Sequence, residues 1–185
     1  MCIAIEALGP YTRRPEDEPE HLLKYLAKMK ALRTKSLPFH HSIEAAIQAR
    51  LRSGQWPVNE LPATILTPRS LKPVEKTDKQ GNVLQGYTWR SDPILTFHIP
   101  TSASNAYGEA FMRRITCPFL AFFTTHGFRT RFDVDERLSW LTNAQVVTTH
   151  TVEGSHHIHL EDPELVAKMV SEWIIERDKT EKARL

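Results

Sequence analysis

The chain opens on Met1-Cys2-Ile3-Ala4-Ile5, an apolar run with no polar alternation, followed at once by Glu6-Ala7-Leu8-Gly9-Pro10. A short strand that reads apolar on both faces belongs inside a parallel sheet, with neighbours on both sides and helices above and below. Gly9-Pro10 punctuates its end. A strand of this kind at residue 1 reads as entry into the middle of a fold. Cys117-Pro118-Phe119-Leu120-Ala121-Phe122-Phe123 is a second run of the same kind, and Ala144-Gln145-Val146-Val147-Thr148-Thr149 is a third.

Helical spacing fills the rest. Leu22, Leu26 and Met29 predict a helix over Pro19–Leu32. Ser42 caps a second, which carries Ile43, Ala46, Ile47 and Leu51 and stops at Gly54. A third follows Asn59, with Pro62 tolerated in its first turn. Leu71 to Pro93 reads as an irregular hairpin with a polar tip at Asp78–Asn82. Further helices are expected over Ser104–Arg114, around Val134, Leu138 and Leu141, and over Pro163–Arg177. The order is strand, long helical insert, then strand–helix–strand–helix. This predicts an α/β fold of three mostly parallel strands with flanking helices.

Composition narrows the class. The 185 residues are 41% hydrophobic and 25% charged, with a formal charge of +2, which is the profile of a single globular domain. Acids and bases are interspersed and leave no electrostatic footprint for nucleic acid. No apolar stretch reaches the roughly 18 residues of a membrane span, so no membrane crossing is expected. Cys2 and Cys117 make neither a disulfide framework nor a zinc motif, and both are expected to be buried and inert in a reducing, cytoplasmic setting.

Three places concentrate reactive side chains: Glu6, the Trp89-Arg90-Ser91-Asp92-Pro93 segment, and Gly154-Ser155-His156-His157-Ile158-His159-Leu160-Glu161. Ligands of open α/β sheets gather beyond the carboxyl ends of the strands. Glu6 and His156 each follow a strand and should share that edge. A carboxylate aimed at an imidazole fixes its tautomer and stabilises the imidazolium, which is the base-and-orienter half of a nucleophilic triad.

On Ile5–Pro10, Arg69–Val74, Trp89–Pro93, Ile115–Pro118 and the Gly154–Glu161 segment, the sequence resembles the α/β-hydrolase fold family, in particular its serine hydrolase-like branch. The resemblance runs from Ile3 to Ile175. It implies that the three strands match the sixth, seventh and eighth of that fold. Residues 1–10 then form a core strand, 11–100 a cap insertion, 101–177 the C-terminal part of the core and 178–185 a tail. It implies His156 as the general base, five residues before Glu161. The acid is expected at Glu6, where a haloalkane-dehalogenase branch carries it after the sixth strand. Asp133 is the alternative acid, or simply a helix cap. Trp89, Arg90 and Asp92 would border the pocket or form a structural knot, with Arg90 paired to a carboxylate. None of the seven glycines begins G-x-S-x-G or G-x-D-x-G, so this sequence carries neither nucleophile elbow nor the oxyanion hole beside it.

The expected partner is a small ester-like substrate or ligand. No cofactor and no metal are expected, His157 and His159 being read as packing or surface residues. The first strand's open edge predicts self-association and poor solubility. Ala183-Arg184-Leu185 is similar to the peroxisomal S-K-L address and adds peroxisomal import as an expectation.

Overall fold

The computed structural model describes residues 1–32, 37–54, 57–96 and 102–183. Three strands, β1 (Cys2–Ile5), β4 (Phe119–His126) and β5 (Val147–Ser155), form a parallel sheet in the order β1-β4-β5. Cys2 pairs with Phe119 and Ile5 with Phe122, and Phe119 pairs with Val147 on the other side.

β4 is the spine of the core, with every residue from Phe119 to Thr124 buried. Side chains alternate across a strand, so its apolar run feeds two faces. Phe119, Ala121 and Phe123 pack with Leu8, Met112, Trp140 and Leu141. These last three residues lie on or just after α4 (Asn105–Met112) and α5 (Val134–Ser139). Leu120 and Phe122 pack on the opposite face with Trp173 of α7 (Pro163–Lys182). Each fully buried Leu or Phe contributes about 1.5–3 kcal/mol.

β1 departs from expectation. All four of its residues are half-buried, and among the described residues it pairs on one side only. Cys2 and Cys117 are likewise free thiols at half-burial rather than buried. Burial still pushes the Cys2 thiol up, and neighbouring Cys117 adds to the shift. The third strand begins later and runs longer than the Val146-Val147 cluster suggests. Its exposed and half-buried residues alternate, because it lies on the rim of the sheet. The helix spacing around Leu141 stops at Ser139, and Trp140 and Leu141 continue inward as a turn.

Between β1 and β4 lies a second architecture. A 3-10 turn at Pro15–Asp17 leads into α1 (Glu18–Leu32), which buries none of its residues. α2 (Ile43–Leu51) starts at Ser42, whose hydroxyl accepts from Ala45 N. α3 (Glu60–Ser70) carries Pro62 early, as expected, and a second proline, Pro68, in its last turn. The hairpin is regular, not irregular: β2 (Leu71–Thr77) and β3 (Val83–Trp89) pair without a break from Leu71–Trp89 to Thr77–Val83. Pro73 lacks an N–H and sits on β2, where only one neighbouring strand needs donors.

Candidate active site

Glu6 lies one residue beyond β1 and His156 one residue beyond β5, so both stand at the carboxyl edge of the parallel sheet. The Glu6 Oε2 to His156 Nδ1 distance is 3.3 Å, across 150 positions of sequence. Glu6 is 2% exposed. A buried carboxylate must be hydrogen-bonded to persist. Thr124 N donates to Oε1, and Phe128 N donates to Oε2 at 2.6 Å. A carboxylate oxygen accepts, so the His156 tautomer that completes this pair is the one with its proton on Nδ1.

Glu6 adopts φ +53°, a left-handed conformation that costs a non-glycine residue about 1–3 kcal/mol and collects at functional sites. Its backbone N–H bonded to Phe122 O at 2.8 Å and its carboxylate contacts hold it there. The carboxylate has room because residue 127 is glycine. A Cβ at Gly127 would fall on Glu6 Oε2 and on Thr124 Oγ1. His156 packs against Phe128 with ring centroids 5.3 Å apart. Below it, Ser155 Oγ donates to Glu161 Oε2 at 2.8 Å and accepts from His157 N at 3.1 Å. This pins the turn into the single-turn helix α6 (Ile158–Glu161).

The other candidates fall elsewhere. Asp133 caps α5, its carboxylate accepting from Glu136 N at 2.9 Å. Arg90 donates from Nε to the Leu71 carbonyl at 2.6 Å, so its partner is a backbone oxygen, not the expected carboxylate. Trp89 lies under the Arg50 guanidinium at 5.1 Å and edge-on to His40 at 5.3 Å. Asp92 accepts from Ile94 N at 2.9 Å. His157 and His159 meet edge to face at 6.2 Å, and no group of three or more His, Cys, Asp or Glu among the described residues could hold a metal. The Ala183-Arg184-Leu185 tail lies mostly outside the described residues.

Two supports escape a reading by residue type. Gly127 is one; the only signal for it is a His126-Gly127 step immediately after the strand. Arg137 is the other. It is 5% exposed and donates to Leu8 O at 2.6 Å, Pro10 O at 2.9 Å and Thr12 Oγ1 at 2.8 Å. Its guanidinium lies 4.4 Å over the Phe132 ring, and burial draws its pKa down. Arg137 thus fastens the segment after Glu6 to α5. Nothing in the charge pattern separates it from exposed arginines.

No protein-family model matches the sequence, and no curated protein matches it. Solved structures do. A hypothetical protein of Pseudomonas aeruginosa PAO1, PA1622, is 29% identical with a TM-score of 0.73, over 94% of this chain and 58% of that one. The thioesterase domain from the curacin biosynthetic pathway is 19% identical, with a TM-score of 0.63, over 92% and 56%. The M. tuberculosis esterase Rv0045c is 13% identical, with a TM-score of 0.56, over 88% and 52%. The chain spans little more than half the length of each. With its three-stranded parallel sheet and helices on both faces, matched along nine-tenths of its length by esterase and thioesterase structures, the chain has a partial α/β-hydrolase fold.

Proposed function

We propose that this chain carries the acid–base half of a hydrolase active site acting on a small ester-like substrate. The observation that supports it is the buried Glu6 carboxylate 3.3 Å from His156 Nδ1, at the sheet edge where such chemistry gathers. His156 is the general base. Its Nε2 takes the proton of an attacking hydroxyl, and the imidazolium then returns it to the leaving alkoxide. Glu6 accepts Nδ1–H, holds the ring's tautomer and stabilises the positive charge that develops. The nucleophile and the oxyanion donors come from sequence that this chain does not contain. Residues 11–100 act as a cap over the site, and Trp89, Arg90 and Asp92 are structural residues where that cap returns to the core.

Three measurements test the reading. The purified chain should neither hydrolyse p-nitrophenyl butyrate nor be labelled by a fluorophosphonate. Joined to a strand–G-x-S-x-G–helix segment it should gain both, with His156→Ala losing about 10²–10⁴-fold of the activity. In the chain alone, the His156 Nδ1 proton should give a slowly exchanging downfield resonance that Glu6→Ala removes. Strong labelling of the chain alone, dependent on His156, would overturn the missing-nucleophile argument.

A second reading, a non-catalytic ligand-binding or assembly module derived from a hydrolase, is favoured by the outer edge of β1, which has no strand partner among the described residues. A monomer that binds an acyl ligand without turnover, even when joined to the nucleophile segment, would favour it.

A further inference from the structure

The loop that follows Glu6 is held from an unexpected direction. Two left-handed residues, Glu6 at φ +53° and Gly9 at φ +77°, bracket Leu8, whose side chain is 1% exposed in the core. A Cβ at Gly9 would stand 2.8 Å from Met112 Sδ, so this loop lies tight against α4. Yet among the described residues nothing from Ala7 to Pro10 forms a backbone–backbone hydrogen bond. A carbonyl turned away from water needs a donor. Arg137 Nη1 supplies one to two of them, reaching Leu8 O at 2.6 Å and Pro10 O at 2.9 Å.

The other end of the guanidinium leads into the insertion. Nη2 donates to Thr12 Oγ1 at 2.8 Å. A guanidinium cannot accept, so the Thr12 hydroxyl must spend its own proton elsewhere, and it donates to Asn105 Oδ1 at 2.6 Å. Asn105 Nδ2 donates to Glu136 Oε1 at 3.2 Å, beside Arg137 on α5, which closes the ring. Thr12 and Asn105 stand at the two roots of the insertion. Thr12 bridges to Ala103, and Arg13 N donates to Ala103 O at 2.9 Å. One hydroxyl thus satisfies the arginine that holds the loop after Glu6 and joins the places where the insertion leaves and re-enters the core. We propose that Thr12 and Arg137 are positioning residues for the Glu6–His156 pair. Acting through the backbone of residues 8–10, they keep Glu6 in its left-handed turn and tie that turn to the roots of the insertion. This inference rests on reading that pair as the acid–base half of a hydrolase site.

The test follows the His156 Nδ1 proton by NMR in the full chain, beside the β4 amides of Leu120 and Phe122 as a gauge of the whole fold. Thr12→Val removes the hydroxyl and keeps the side chain's shape. It should speed exchange of the His156 proton about tenfold while the β4 amides hold their rates. Thr12→Ser keeps the hydroxyl and should restore slow exchange. Packing alone would give the opposite order, because the Thr12 methyl Cγ2 lies 2.9 Å from where a Cβ at Gly108 would stand and serine lacks that methyl. Arg137→Ala should lose the proton signal, and methylguanidinium added to that variant should bring it back. In the chain joined to a nucleophile segment, Thr12→Val should lower kcat about tenfold at an unchanged KM. A His156 proton indifferent to Thr12→Val, a serine variant worse than the valine one, or β4 amides that speed up in step would each overturn the proposal. Absence of the proton from the unsubstituted chain would overturn the Glu6–His156 reading as well, whereas its presence without response to Thr12 or Arg137 overturns the positioning role alone.

Discussion

The parallel sheet and the insertion between β1 and β4 are built on opposite economies of burial. β4 buries six consecutive residues and receives helices on both faces. α1 is a helix of 15 residues that buries none of them, and Leu22, Leu23 and Leu26 are 40%, 68% and 53% exposed. The insertion holds itself together by backbone pairing and small residues instead: the β2–β3 ladder, and Ala46 and Ala63 at 0% exposure on α2 and α3. The contrast teaches where precision resides. A buried carboxylate can be held at a fixed distance from a histidine only by elements that have no room to move. The insertion leaves apolar surface open, as a pocket-lining or partner-seeking element does.

Substitutions in each region should break or sharpen that contrast. The largest effect belongs to β4. Phe122→Ala removes a ring packed on Leu120 and Trp173, and unfolding titrations should show a loss of about 3–5 kcal/mol. Next comes the site. Gly127→Ala forces the Glu6 carboxylate or the turn out of place, costing about 1–3 kcal/mol. It should also abolish the slowly exchanging His156 proton. A loss of stability with that proton retained would show that Glu6 is not the ring's partner.

In the hairpin the effect is smaller and depends on pH. Hydrogen bonds from the Asn82 side chain and backbone hold the Asp78 carboxyl below the usual carboxylate range. Its pKa is lower folded than unfolded, so its contribution is fully present above the ordinary carboxylate pKa and is lost as pH falls through the depressed value. Amide exchange at Gln80 and Asn82 should speed up only in that acid window, and Asp78→Asn should remove the dependence. Last, Leu23→Ser on α1 should change stability by no more than about 0.5 kcal/mol. A cost comparable to that of Phe122→Ala would mean that α1 is covered in solution.

Much of this was legible along the chain. The unalternated runs at residues 2–5 and 119–123 announce strands whose neighbours must be apolar on both sides, and for β4 that is what the fold provides. The Ser42 cap sits at its helix start as read, because a side-chain oxygen beside an unbonded N–H is a local arrangement, and the structure adds two caps of the same kind at Ser104 and Asp162. Glu6 and His156 were both readable as strand-end residues of a shared edge. The α1 stripe was readable too, but an apolar stripe states which face favours burial and not whether a partner exists. β5 was placed too early because its residues alternate at a rim, where the apolar signal thins.

The sequence alone therefore determined the alternation of strand and helix and the residue types offered at the sheet edge. Both depend on periods of two and of 3.6 residues, written within a dozen positions. Only the tertiary structure decided the left-handed turn at Glu6, the empty space at Gly127 that admits its carboxylate, and the selection of Arg137 to bind the chain after it. Each of those depends on atoms brought together from more than a hundred residues away, and no local period encodes a contact at that separation.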